Sequence, residues 1–316
     1  MFDQKRKKRS WSIGEIIRYL REKQQISLEC LSQGVCSIAT LSRIENNERT
    51  LSILLAQCLL GRLGWQISEF ESYCSDKEFK WYEKRMEILE LKRQKNLIQM
   101  KEQLRNYEIE IGENKKDPLQ KQFITAEKAF LMVEEGKQKE GILLMKEAIS
   151  FTVDGWEESE ITLLGFEELE LFCMLADAYE RQKEREDAYR IWEQILNYLE
   201  QRQINKKQMA EPYTYIISRI VPYMLDYKMA KRGVELCEKG LKTVSDTLNG
   251  NFCCELLYWK AKCQRVLYQH GKLEKSEIIE SYQFAYYLCL CFEKLELAQE
   301  IKGYLKEEQN GDLSNQ

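Results

Sequence analysis

Residues 34–50 read GVCSIATLSRIENNERT, a run in which Ser37, Thr40, Ser42, Arg43, Asn46 and Asn47 surround a few evenly spaced apolar residues. Ile38, Leu41 and Ile44 recur at every third position, which predicts a helix from Ser37 with one face committed to a core and Ala39, Thr40, Arg43 and Asn47 turned outward. The outward face is short and mostly small. Such a face suits a helix that slides its N-terminal half into a groove about 12 Å wide, where bulky side chains would hold it away from base edges. Arg43 is the long cation on that face, able to read guanine or to grip a phosphate.

The flanking segments complete a motif. Ile13, Ile16, Ile17 and Leu20 form a stripe over 12–23 that Ser12 can cap, while Leu28 and Leu31 mark a short second helix capped by Ser27 and ended by Gly34. A second helix, a three-residue turn and a third helix with such a face make a helix-turn-helix. A fourth helix is expected over 52–63 and a fifth over 68–73.

The stretch resembles the Cro/repressor-like (XRE) family of helix-turn-helix domains. In the Gram-positive branch that also carries helical repeats, the segment looks like GICSxxxLSKIENG; Gly34, Cys36, Ser37, Leu41, Ser42, Ile44, Glu45 and Asn46 match it, with Val35 and Arg43 as close replacements. Leu28 stands where a phosphate-contacting glutamine is common, Asn47 where glycine ends helix three, and Leu51 where proline is frequent. The resemblance covers roughly 12–72 and implies double-stranded operator DNA as partner. Its contacts would come from Ser37, Ala39, Thr40, Ser42, Arg43, Asn46 and Asn47, with Lys7 and Arg9 of the basic arm 1–11 lying along phosphates or in a minor groove. Glu45, a carboxylate near DNA, is expected to turn inward to Arg18 or Arg21. Cys36 reads as a packing residue in preference to a redox sensor.

Bulk composition excludes several classes. The chain has 316 residues, 44% hydrophobic and 32% charged, enough for two domains and their cores. The longest apolar runs, such as 285–292, fall far short of the roughly 20 residues that span a bilayer, and no apolar segment follows the basic run 5–9, so a cytoplasmic protein with no membrane partner is expected. Eleven cysteines lie without CxxC pairing or nearby histidines, which predicts neither disulfides nor a metal site. Charge divides unevenly: 1–75 hold eleven Lys and Arg against eight Asp and Glu, while 76–316 hold 37 against 44. A basic head on an acidic body restricts polyanion binding to the head.

Only three prolines occur and strand-like alternation is rare, so an all-α chain is expected, with a five-helix domain over 12–75 and a repeat domain over 76–316. Trp81, Arg85, Ile88 and Leu91 follow helical spacing within a pair over 77–111. Phe172, Leu175, Ala176, Tyr179, Ala188, Trp192 and Ile195 place large, small and aromatic residues at the offsets of a tetratricopeptide (TPR) unit. Looser copies carry Ala129, Gly141, Met145 and Ala148; then Ile217, Ile220, Val221, Met224, Gly233, Cys237 and Gly240; then Leu257, Tyr258, Ala261 and Gln264 with 278–290, capped by 293–306. About five helix pairs would stack into a TPR-like α-solenoid. First helices of such repeats line a concave face, which assigns Phe123, Ala126, Phe130, Glu170, Cys173, Asp177, Arg181, Tyr215, Ser218, Pro222, Tyr258, Lys262 and Arg265 to it, about half of them packing on neighbouring helices instead. Pro222 should kink its helix.

An XRE head on a TPR body resembles the peptide-pheromone receptors of Gram-positive quorum sensing, the Rgg/PlcR/NprR/PrgX group. That resemblance implies a transcription regulator acting as a homodimer, with a short signalling peptide bound by Phe130, Glu170, Cys173, Asp177, Arg181, Tyr215, Ser218, Tyr258, Lys262 and Arg265. A rival reading makes the body a dimerisation and partner-protein scaffold without a peptide. An enzyme has little support: His270, before Gly271, is the single histidine, no phosphate-cradling glycine loop occurs, and no cofactor motif is present.

Overall fold

The computed structural model of the chain describes residues 11–66, 76–158, 161, 163–201, 208–269 and 275–313. The arm with Lys7 and Arg9, the expected helix over 68–73, and His270 with Gly271 lie outside them. Every regular element among the described residues is helical. The chain falls into two compact units, Met1–Gln194 and Ile195–Gln316.

The first unit opens with four short helices, α1 (Ile13–Lys23), α2 (Leu28–Ser32), α3 (Ile38–Glu45) and α4 (Ile53–Arg62). Each starts where a serine accepts hydrogen bonds from free amides: Ser12 with Glu15 in a reciprocal capping box, Ser27 from Cys30, Ser37 from Thr40 and Ser52 from Leu55. Ile17, Leu20, Leu31, Leu41, Leu59 and Leu60 close the core between them. Ile38 departs from the expected core face and is 49% exposed. Steps of three fall short of a full turn by about 60°, so Ile38 lies well round the helix from Ile44 and the buried face is Leu41, Ile44 and Glu45. At Gly14 the backbones of α1 and α3 touch: a Cβ there would stand 2.0 Å from the Ile44 carbonyl oxygen.

Helices then follow in pairs: α5 (Asp76–Arg93) with α6 (Leu97–Ile111), α7 (Pro118–Glu134) with α8 (Gln138–Ser150), and α9 (Phe166–Arg181) with α10 (Arg185–Gln201). The tetratricopeptide offsets are occupied as expected, since Ala176, Ala188 and Trp192 are buried and the Trp192 indole donates to Glu180 across the pair. Gly141 lets α8 lie against α7, its Cα facing Val133 and the Ala129 carbonyl.

The second unit contains α11 (Ala210–Asp226), α12 (Ala230–Thr247), α13 (Cys253–Gln269), α14 (Lys275–Cys291) and α15 (Leu295–Leu313). Helix α11 continues through Pro222. Helix α15 covers the last pair by burying Ala298 and Ile301 on a core of Tyr258, Ala261, Ile278 and Tyr282, as a terminal capping element should. No described helix is long and apolar enough to cross a membrane, and the ten described cysteines are free thiols.

The Gly14 contact yields a local test. Gly14→Ala should cost about 2–3 kcal/mol through overpacking; hydrogen exchange should show amides of α1 and α3 losing protection while those of α7 and α8 keep theirs.

Candidate nucleic-acid interface and ligand-facing repeats

Helix α3 is fixed from behind and open in front. Behind it, the Arg21 guanidinium donates to both carboxylate oxygens of Glu45 at 2.7 and 2.8 Å, and to the Ile26 carbonyl at 3.0 Å. Glu45 is 4% exposed, so the inward pair expected for it is formed, with Arg21 as partner. The pair neutralises the one acidic side chain of the helix.

In front, Ser37, Ala39, Arg43, Asn46 and Asn47 are exposed, while Thr40 and Ser42 are half-buried. The Ser37 hydroxyl donates to Thr40 Oγ1 at 2.9 Å, and Arg49 Nη1 donates to the same oxygen at 3.2 Å. Ser12 Oγ donates to Asn47 Oδ1 at 2.5 Å, and Arg18 Nη1 to Asn46 Oδ1 at 3.4 Å. Asn47 takes φ of 62°, the left-handed turn that ends α3 where glycine is common, and asparagine tolerates it well. Arg43 alone among the long side chains of this face has neither hydrogen bond nor ion pair with a described residue. Arg49, which the sequence reading passed over, and Arg18, which it weighed only as a partner for Glu45, belong to the same surface through these contacts.

Cys36 is half-buried at the base of α3. Burial pushes its thiol up from the ordinary value, against the pull of Arg62 and Arg49. A thiol held protonated is a poor redox nucleophile, which favours the packing role.

The helix-turn-helix is clamped to the repeats by one buried arginine. Arg62, at the end of α4, is 2% exposed and donates to the Leu31 and Gln33 carbonyls at 3.2 and 2.6 Å, to the Thr152 carbonyl at 3.0 Å, and to both Glu168 carboxylate oxygens at 2.6 and 3.3 Å. Glu168 Oε2 also accepts the Gly165 amide at 2.6 Å, the N-cap bond of α9. Gly34, at φ 74° in the turn between α2 and α3, sits so close to Thr152 that a Cβ would fall 2.2 Å from its carbonyl oxygen. Neither Arg62 nor Glu168 stood out as a site residue in the sequence, although an arginine in the otherwise apolar run ILLAQCLLGRL was a usable sign of a buried charge.

The residues assigned to a ligand face divide between the units. In the first, Lys92 of α5 gathers part of the set: its ammonium reaches Glu127 and Glu170 at 3.2 Å each and lies 5.1 Å from the centre of the Phe130 ring. Cys173 is buried, Asp177 half-buried, and exposed Arg181 pairs with Glu134. Glu170, Phe123 and Ala126 line a cavity of about 790 Å³, solvent mouth included, between α4, α5, α7 and α9.

In the second unit Ser218 is 7% exposed and donates to the Tyr215 carbonyl, while Tyr215 lies half-buried against the Phe252 ring. Tyr258, assigned to the ligand face, is core instead: it is 3% exposed and its hydroxyl bonds to Glu300 of α15. Lys262 donates to that hydroxyl at 2.8 Å and lies over the Tyr258, Trp259 and Tyr304 rings, and Arg265 lies 5.2 Å from the Tyr304 ring centre. The capping helix thus claims positions that a further repeat would have left open, which repeat phase by itself does not reveal.

No protein-family model and no curated protein matches the sequence. Among solved structures, Bacillus thuringiensis PlcR in its apo form resembles the chain with a TM-score of 0.56 at 17% identity, over 92% of this chain and 98% of that one. PlcR in complex with the peptide PapR7 and DNA gives 0.52 at 18% identity, over 92% and 99%. The chain shares the PlcR fold, four short N-terminal helices leading into helical repeats.

The clamp predicts a large, coupled effect. Arg62→Met leaves the Glu168 carboxylate buried and unpaired and should cost about 3–5 kcal/mol in urea unfolding. Adding Glu168→Gln should recover part of that loss, because the amide oxygen still accepts the Gly165 bond and carries no charge.

Proposed function

We propose that the chain is a DNA-binding transcription regulator that acts as a homodimer and responds to a short signalling peptide held by its repeats, with a head over 12–75 and a repeat body over 76–316. The observation that carries the DNA half is α3: a capped helix with its acidic residue neutralised from behind and an exposed face of small polar groups around an unpaired Arg43. Phosphate contacts would come from the basic arm, Lys7 and Arg9 included, and from Arg18 and Arg49 beside the helix. The shared PlcR fold supports the peptide half, because PlcR is a protein seen with both a peptide and DNA.

Self-association has support from the second unit. Phe284 and Tyr287 lie one turn apart on α14 and are 60% and 63% exposed, and Phe292 and Leu295 after them are 54% and 60% exposed. Large apolar side chains grouped in this way mark an interface. A two-fold dimer presents two recognition helices to half-sites about one helical turn, or a multiple of it, apart.

Two measurements test the DNA contact and the self-association. On a duplex selected by the wild-type chain from a random pool, Arg43→Ala should bind about 10- to 100-fold more weakly, with relaxed preference at one base position; equal affinity in fluorescence anisotropy removes α3 from the interface. In sedimentation velocity, Phe284→Glu/Tyr287→Glu should shift a dimer to monomer with helix content unchanged; a dimer that persists places the interface elsewhere.

A further inference from the structure

Arg85, on α5, is 4% exposed and lines the cavity between α4, α5, α7 and α9. Its Nε has no acceptor, and no described carboxylate stands within ion-pair distance of its guanidinium, which lies 6.0 Å from the centre of the Phe123 ring. Burial accordingly lowers its pKa from the ordinary value, yet a guanidinium keeps its proton in proteins. A buried charge without a counter-ion is costly, and a structural arginine would be expected to hold a partner, as Arg62 does.

The acidic residues lining the same cavity do not supply that partner. Glu168 is committed to Arg62, Glu127 and Glu170 to Lys92, and exposed Glu167 attracts Arg85 without forming an ion pair with it. Between them the wall is apolar, with Leu54, Met86, Leu89, Phe123, Leu171 and Met174. Arg85 and Lys92 are seven residues apart on one helix, about 10 Å along its axis, so the free cation lies at one end of an apolar trough and a neutralised cluster at the other.

We propose that this cavity binds the carboxylate of an apolar acid, with Arg85 as the anion-binding group and the trough holding about 10 Å of apolar body. Free carboxylic acids and the C-terminus of a hydrophobic peptide share that chemistry. In the second form the proposal deepens the function given above, on which it then rests for the ligand being a peptide. Leu54, Gln57 and Cys58 belong to α4, so the ligand touches the helix-turn-helix domain itself. The carboxylate fills the unmet donors of Arg85, and binding lifts a cost that the empty protein carries.

The test uses the full chain, calorimetric titration and thermal shift. Probes are octanoate, phenylacetate, a pool of hydrophobic heptapeptides with free C-termini, and the same pool amidated. Wild type should bind at least one free-carboxyl probe and raise its Tm, with amidated peptides at least about tenfold weaker. Binding of octanoate or phenylacetate alone identifies a free acid as the source; binding of the free-carboxyl pool identifies a peptide end. Arg85→Met should lose about tenfold or more in affinity while melting no lower than wild type without ligand, since it removes an unpaired buried charge. The proposal is overturned if no free-carboxyl probe binds, if amidation makes no difference, or if Arg85→Met binds as tightly as wild type. The amidation comparison needs no variant and decides even where Arg85→Met does not fold. Operator binding by the wild type is measured alongside, so that loss of the carboxylate site leaves the DNA half of the function separately judged.

Discussion

Arg62 is the constraint on which the arrangement of the first unit depends. A guanidinium offers five donors in a rigid plane, and here they reach the carbonyls that end α2, the carbonyl that follows α8 and the carboxylate that starts α9. Removing so many polar groups from water is justified only if all are satisfied together. The ends of three helices are thereby held to within hydrogen-bond tolerance of one side chain. Gly34 follows from the same geometry, because the turn between α2 and α3 is drawn so close to Thr152 that no side chain fits. Helix α3 is therefore positioned by contacts to Thr152 and Glu168 as well as by its own four-helix core.

A second arginine, Arg21, performs the complementary task for chemistry. Its fork on Glu45 keeps the carboxylate behind α3 and leaves Arg43 as the one charge that α3 itself presents in front, with Arg18 and Arg49 beside it. The head's excess of cations would favour a polyanion, as the proposed function requires, while the acidic excess of 76–316 would oppose non-specific adhesion of the repeats. Orientation and charge are thus supplied by two arginine–glutamate pairs, one buried and one partly buried.

The helices themselves were legible because their signals are local. Ser12, Ser27, Ser37 and Ser52 each cap the helix they were read to open, and the small residues at Ala176, Ala188 and Gly141 mark close helix approach as repeat patterns require. Contacts between distant segments were not legible. Arg62 and Glu168 are 106 residues apart in sequence, and nothing in either neighbourhood names the other. Arg85 was counted in a helical stripe with Trp81, Ile88 and Leu91, where a charge among apolar neighbours was the visible sign of a buried cation. Tyr258 was misplaced for a different reason: repeat phase assigns a first-helix residue to the open face, whereas the terminal helix α15 folds over it. Ile38 shows the limit of counting in threes on a helix that advances by 3.6.

The cavity and the four-helix head share a wall, which sets how an occupant could act on the head. Helix α4 contributes Leu54, Gln57 and Cys58 to the cavity and, one turn on, Arg62 to the clamp. Glu168 lines the cavity and takes the clamp's ion pair, so the two sites meet in a single residue as well as a single helix. On the proposed function, a ligand would shift the position of the head only by its difference in affinity for two placements of α4, and by linkage operator DNA would alter ligand affinity by the same factor. The C-terminal turn of α4 is packed by Leu59, Leu60 and Leu63 into the core that also holds Leu41 of α3, so a displacement of α4 would bear on the whole four-helix core.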